Sequence, residues 1–212
     1  SAGDDGIVAL QVSRDAGREG YIPYTDKPLS WHTDGYYNAP EDRIGAFLLH
    51  CVRCASDGGE NGFLDPDIAY IRLRDENPDF IAALTHEEAM TIPANVEDNG
   101  KVRPVSVGPV FFLHPQSGAL QMRYTARTRS IVWRNDAKTQ AAEGFLRQLL
   151  SREPLVFRHT LAPGEGVICN NVLHCRSRFD DGPGSARTDG RLLYRMRYTN
   201  GIGYKAPTGE IG

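Results

Sequence analysis

Apolar residues in this chain come mostly in short runs, cut by glycine, proline and polar turns. Residues 7–12 read as a short strand, followed by a loop rich in Gly, Pro and Tyr up to Ser30. Residues 44–52 are almost continuously apolar, and a run that short fits a buried strand better than a helix. The polar stretch 57–62 is a turn. Asp65-Pro66-Asp67 starts a helix, with Asp65 as N-cap and proline at the first helical position. Ile68, Ile71 and Leu73 supply its apolar stripe, which Asn77-Pro78 ends. A second short helix is expected over 79–84. Residues 87–92, 102–107 and 110–113 read as strands. Residues 137–150 form the one long helix, with Phe145, Leu146, Leu149 and Leu150 on one face and Arg147 and Gln148 outside. Further strands are expected at 155–161, 166–170 and 192–198, with a polar loop over 180–190. No repeat or linker divides the chain, so residues 1–212 are read as a single domain.

Strands dominate both ends and helices fill part of the middle. This predicts a mainly β fold with flanking helices (α+β), specifically a double-stranded β-helix, or jelly roll. A doubly wound α/β fold lacks support, because strands and helices do not alternate and no Gly-rich strand-to-helix turn is present.

Composition narrows the function. The chain has 212 residues and a net charge of −3, which gives no reason to expect a nucleic-acid or anionic-membrane partner. No apolar run approaches the ~20 residues of a membrane helix. The first residues are polar and lack a signal-peptide core. Four cysteines do not make a disulfide scaffold, so free thiols and a cytoplasmic location are expected. The expected partner is a small-molecule substrate, and a homo-oligomer stays open.

The chemistry centres on His32-Thr33-Asp34. On a strand, His-x-Asp places both side chains on one face. His174 ends a second candidate strand, after Asn170-Asn171-Val172-Leu173. Together His32, Asp34 and His174 make a two-histidine, one-carboxylate donor set, which suits non-haem Fe(II) with open positions for O2 and a co-substrate. Downstream, Arg191, Arg195 and Arg197 lie at even offsets and share a strand face. Three guanidinium groups there are costly to bury without anions. An anionic ligand would supply them, and so would the acids of a solvated, ion-paired face, the reading that suits Arg197 best.

These motifs, with Leu49-His50-Cys51, Gly58-Gly59-Glu60-Asn61 and Arg191-Leu192-Leu193-Tyr194-Arg195, resemble the TauD/TfdA-like family of Fe(II)- and 2-oxoglutarate-dependent oxygenases. The resemblance runs from about Pro28 to Tyr198 and extends to the γ-butyrobetaine hydroxylases of that family. It implies a clavaminate synthase-like jelly roll, with catalytic metal ligands His32, Asp34 and His174. It implies Arg191 for the distal carboxylate of 2-oxoglutarate, with Arg187 as a rival, and Asn61 near the proximal carboxylate, where relatives often carry threonine. Arg195 matches a position that binds the acidic group of the substrate, which implies an anionic metabolite hydroxylated with release of succinate and CO2. Family members usually carry several tens of residues more before the first histidine than the 31 present here. A truncated chain, a short relative or a site completed by a partner subunit are the readings this leaves.

Tyr36 and Tyr37 follow the ligand turn, and either line the substrate pocket or cover the barrel mouth. Trp31 should face away from the metal, into the core. Arg127 or Arg129 could assist anion binding, although a solvated strand or loop is expected for at least two of Arg123, Arg127 and Arg129. His50, Cys51 and Cys54 lack matching zinc spacing, and the cysteines are read as small core residues. His86, His114 and His159 have no ligand-like partner nearby in sequence. The alternatives to a dioxygenase are a catalytically silent jelly-roll metal-binding module, a relative acting on a cationic amine, and a cupin-like zinc enzyme with no use for Arg191.

Overall fold

The computed structural model describes residues 6–12, 22–96, 100, 102–115, 117–129, 131–182 and 189–203. Its two principal sheets use eight strands: β1 (Val8–Leu10), β2 (Leu29–His32), β3 (Ala46–Arg53), β4 (Asn61–Leu64), β5 (Phe157–His159), β6 (Gly166–Asn170), β7 (Leu173–Arg176) and β8 (Leu192–Tyr198). One sheet has the order β1-β8-β3-β6 and the other β5-β4-β7-β2, and every pairing is antiparallel. Helices α1 (Pro66–Glu76), α2 (Pro78–Leu84) and α3 (Ala137–Arg152) follow β4 in the chain. The fold is mainly β with few helices.

Strand periodicity sorts the side chains into layers. Phe47, Leu49 and Cys51 alternate along β3 and are buried, while Leu48, His50 and Val52 between them are only half-buried. They cluster with Leu193 of β8 and Phe63 of β4, so this core lies between the two sheets. Leu64 and Leu173 are sequence neighbours of Phe63 and His174 and therefore point the opposite way. They join Ala69 and Leu73 of α1, Leu84 of α2, and Ala142, Leu146, Leu149 and Leu150 of α3 in a second, larger core. The β5-β4-β7-β2 sheet is thus a middle layer, with the other sheet on one side and the helices on the other. Trp31 packs against the helical core, as expected.

Two sequence readings need correction in this frame. The strand over 166–170 forms as expected, but Asn170-Asn171-Val172-Leu173 looked like the end of a strand running into His174. The chain instead changes sheets: Asn170 pairs with Ala46 in one sheet and Leu173 with Leu64 in the other, with Asn171-Val172 as the corner. The apolar stripe of α1 was also misplaced at Ile71, although Leu73 is buried and Ile68 packs against the core as expected. Ala69 and Leu73 are buried, whereas Ile71 is 42% exposed.

Local chemistry sets the element ends. The Asp65 carboxylate caps α1 by accepting from the Asp67 N–H at 2.9 Å. Asn77 ends α1 and caps α2, accepting from the Asp79 N–H at 3.0 Å. Asp136 caps α3 through the N–H groups of Lys138 and Thr139. The strand expected over 102–107 breaks at Pro104, which has no N–H for a ladder. Its two pieces, Val102–Arg103 and Ser106–Gly108, pair with Asn95–Val96 and Met90–Ile92. The strands expected over 87–92 and 155–161 shrink to Met90–Ile92 and Phe157–His159. Cys51 is a core residue, Cys169 and Cys175 are half-buried, and Cys54 is exposed rather than internal. Among the described residues, no helix is long and apolar enough to cross a membrane.

Leu146 is completely buried in the core that α3 shares with α1 and α2. Leu146→Ala is expected to cost about 2–5 kcal/mol. Urea unfolding checks this: the midpoint should fall while the slope stays unchanged.

Candidate metal centre

β2 ends at His32, and the next two residues are fixed individually. The Thr33 N–H donates to the Tyr124 carbonyl at 3.0 Å, and the Thr33 Oγ1 accepts from the Tyr124 N–H at 3.1 Å. Asp34 lies in the turn beyond the strand. Strand alternation therefore grouped His32 and Asp34, which the structure does bring together, by a route the chain does not take. Gly35, at φ +66°, closes the turn, and a Cβ there would stand 2.8 Å from the Ile44 side chain.

Asn171, at the corner between the sheets, holds Asp34 by its backbone. Its Oδ1 accepts from the Asp34 N–H at 2.7 Å, and its Nδ2 donates to the carbonyls of Asp34 at 2.8 Å and Ile44 at 2.9 Å. Three residues later His174 stands directly across from His32 in the β7–β2 pairing. Their ring centroids are 4.2 Å apart.

One donor atom from each of His32, Asp34 and His174 falls within 4.8 Å of the others, and all three residues are buried. The Asp34 Oδ1 is 3.7 Å from His32 Nε2 and 3.9 Å from His174 Nε2. Each imidazole is oriented in the same way. His32 Nδ1 lies 2.9 Å from the Ser30 carbonyl, and His174 Nδ1 lies 2.9 Å from the Val172 carbonyl. A carbonyl only accepts, so Nδ1 carries the proton and Nε2 turns its lone pair to the site. Burial, with His32 alongside, pushes the His174 pKa down to about 3. Burial alone would raise the Asp34 pKa. The His32 contact and the neighbouring Arg195 and Arg197 outweigh it and hold the carboxyl well below its usual range. A neutral imidazole and an ionised carboxylate are the forms that bind metal.

The surroundings are cationic. Arg197 grips Asp34 with two parallel hydrogen bonds, Nε to Oδ2 at 2.7 Å and Nη2 to Oδ1 at 2.8 Å. Its partner is thus an internal carboxylate, which corrects the solvated strand face expected for it. Arg195 Nη1 stays at 3.7 Å from Oδ1. Beside the histidines, between the sheets, lies a cavity of about 40 Å³ lined by Asn61, Arg176, Arg191 and Arg195 among others. Gly59, at φ +76°, lies against the Arg191 side chain, and a Cβ there would come within 3.3 Å of Nε. Asp181 accepts from the Arg191 backbone N–H at 2.9 Å, and no described carboxylate forms an ion pair with the guanidinium of Arg191. The Nε atoms of Arg176 and Arg195 are buried without a hydrogen-bond partner among the described residues. Desolvation lowers the pKa of all three arginines, that of Arg176 to about 10. Such donors fit an anionic ligand, as the triad fits a divalent first-row metal.

Sequence reasoning missed Arg176. It lies on the same strand face as His174, two residues on, and that spacing was the available signal. It donates to the carbonyls of Thr25 and Lys27 and stacks over Phe179, as Arg191 does. Asn61 is buried and donates weakly, at 3.4 Å, to the His159 carbonyl. Tyr36 and Tyr37 pack edge to face at 5.1 Å against the helical core, and Tyr37 also borders Arg197. Tyr36 lines a separate and larger cavity of about 430 Å³, across the Asp34 turn, which contains neither histidine. Size therefore does not locate the donor set here. Arg127 and Arg129 are exposed, as expected for two of the three arginines there. Arg123 is buried and structural, donating to the carbonyls of Tyr36, Met90, Gly108 and Ser106. His159 has an exposed partner in Glu165 at 2.8 Å but no third donor. Arg187 lies outside the described residues.

Two facing sheets that bring two histidines and a carboxylate together beside buried arginines define a candidate mononuclear metal centre of the two-histidine, one-carboxylate class. Residues 2–197 match the model of the taurine catabolism dioxygenase TauD, TfdA family, and the chain belongs to that family. It is 30% identical over 176 residues to a uridine-5'-phosphate dioxygenase from Amycolatopsis sp, covering 77% of this chain and 60% of that protein. It is 25% identical over 187 residues to an (S)-phenoxypropionate/alpha-ketoglutarate-dioxygenase from Sphingobium herbicidovorans, covering 80% and 61%. The chain thus spans about three-fifths of these relatives. The non-heme iron oxygenase OrfP, solved with Fe and alpha-ketoglutaric acid, superposes with a TM-score of 0.65 at 18% identity, covering 92% of this chain and 56% of that one. Asparagine oxygenase, solved with Fe(II), 2S,3S-3-hydroxyasparagine and succinate, gives 0.62 at 17%, covering 92% and 57%. The fold is shared with these oxygenases.

Asn171→Ala removes three hydrogen bonds at the corner and leaves the Asp34 backbone unpaired. It should cost about 1–3 kcal/mol of stability and weaken Co(II) binding by about 10–100-fold. Thermal unfolding and Co(II) titration by visible absorbance measure the two effects separately.

Proposed function

We propose that this chain is an Fe(II)- and 2-oxoglutarate-dependent dioxygenase that hydroxylates a small anionic metabolite, releasing succinate and CO2, on a double-stranded β-helix of the clavaminate synthase-like type. The observation that carries this reading is the contact between the donor triad and a pocket lined by Arg195 and by Arg176 and Arg191, the last two without an ion pair to any described carboxylate. A two-sheet sandwich with ligands delivered from strand ends supports the jelly-roll assignment.

In this reading His32, Asp34 and His174 hold the iron. When bound, the iron and 2-oxoglutarate supply the oxidising chemistry and O2 activation. The chain's own residues bind, orient and exclude water. Arg191 holds the distal carboxylate through a two-pronged contact, and Asn61 offers its amide to the proximal one. The side chains as they stand leave only about 40 Å³, so the arginine tips must turn to admit the ligand. Arg195 takes the acidic group of the substrate, and Tyr37 borders the same space. The names of both curated relatives denote acids, a nucleotide phosphate and a carboxylate, in keeping with this choice. A cationic amine would meet Arg195 and Arg197 unfavourably. The narrow cavity favours one rival, a metal-binding module with no turnover.

The test is anaerobic titration with Fe(II) and then 2-oxoglutarate, followed by visible absorbance. A weak charge-transfer band is expected in the wild type and should be absent in His174→Ala. Arg191→Ala should lose about 1.5–3 kcal/mol of 2-oxoglutarate affinity, the strength of a charged hydrogen bond. Iron binding without a band, and without succinate release in air, would select the silent module.

A further inference from the structure

We infer that Arg197 is a positioning residue that restricts Asp34 to a single metal-coordinating oxygen. The inference rests on the metal and 2-oxo acid reading above. Its basis is the division of labour between the two carboxylate oxygens. Oδ1 faces both histidines, at 3.7 and 3.9 Å. Oδ2 is occupied by the Arg197 Nε at 2.7 Å, and Nη2 reaches Oδ1 at 2.8 Å from the same side. A carboxylate held at both oxygens by one planar fork cannot turn without breaking both bonds. Asn171 fixes the backbone of the same residue, so Asp34 is constrained at both ends.

Arg197 is well placed for this task. It lies within β8 opposite Phe47 of the central strand β3, with Tyr37 beside it. Arg195, two residues earlier on the same face, reaches Asp34 only at 3.7 Å and keeps a buried Nε without a partner. One arginine is committed to the metal ligand, and the other is left for an incoming anion. The consequence concerns coordination number. A carboxylate free to give both oxygens would take a position that a chelating 2-oxo acid needs. Lysine would keep the charge of Arg197 but not its fork.

The experiment compares wild type with Arg197→Lys and Arg197→Met, each shown to be folded by circular dichroism and thermal melting. Co(II) is bound first and its visible spectrum recorded. Fe(II) and 2-oxoglutarate are then titrated without oxygen. Both variants should still bind metal, Arg197→Met at least as tightly as wild type because a nearby cation is gone. Both should show an altered Co(II) spectrum before any 2-oxo acid is added. Both should then bind 2-oxoglutarate about tenfold or more weakly, with a diminished charge-transfer band. Wild-type spectra and affinity in Arg197→Met would overturn the inference. So would full rescue by Arg197→Lys, which would assign the effect to charge alone. A wild-type protein with no band at all would instead remove the underlying reading of the site.

Discussion

A carboxylate sealed between two sheets has to be paired, and the pairing of Asp34 with Arg197 organises the rest of the site. The two residues are 163 positions apart in sequence. Their contact joins the turn after β2, in the middle sheet, to β8 in the outer sheet. Leaving either charge unpaired in that space would cost several kcal/mol, because water no longer solvates it. The same principle says that a buried ion pair adds little net stability over a well-packed apolar pair. What it supplies here is position, since a bidentate fork is satisfied in one arrangement only.

The histidines are placed by a simpler device used twice. Each Nδ1 is bonded to the carbonyl two residues before it, a contact made along β2 for His32 and from the corner into β7 for His174. Orientation of the ring is therefore a local property, independent of the other ligand. Bringing the two rings together is a long-range matter. It depends on the chain leaving one sheet after Asn170 and entering the other at Leu173, which puts His174 across from His32. Asn171 occupies that crossing point and bonds the Asp34 turn. The corner that redirects the strand is also the part that holds the carboxylate ligand.

Much of this was legible because it was local or periodic. Gly166–Asn170 and Leu192–Tyr198 have the boundaries that alternation and flanking turns indicated. The Asp65-Pro66 helix start was readable from capping chemistry alone. The triad residues were readable from context, since His-x-Asp spacing alone is common by chance and gained weight only beside Asn170-Asn171-Val172-Leu173-His174 and the arginine strand that follows. The sheet change at Asn171 was missed although Asn170-Asn171 interrupts the apolar run there, because a polar pair does not say which sheet the next strand joins. The partner of Arg197 was hidden for a related reason. Periodicity says which face an arginine shares, and only the packing of two sheets says which acid it meets. Arg123 shows the same limit from the other side: an arginine in a basic run proves to be buried and bonded to main-chain carbonyls.

The arginines around the triad also constrain what the site accepts and in what order. Asp34 carries one negative charge and is faced by Arg195 and Arg197, with Arg176 and Arg191 lining the adjoining cavity. A divalent cation entering alone adds to an excess of positive charge in a space with little water to screen it. A dianionic chelator arriving beside the metal relieves that excess and supplies acceptors for donors now buried without any, such as Arg195 Nε. On the proposed reading, metal and 2-oxo acid should therefore strengthen each other's binding by more than chelation alone provides. On the same reading the surroundings would remain cationic with both in place, and that residual charge would favour an acidic substrate over a basic one.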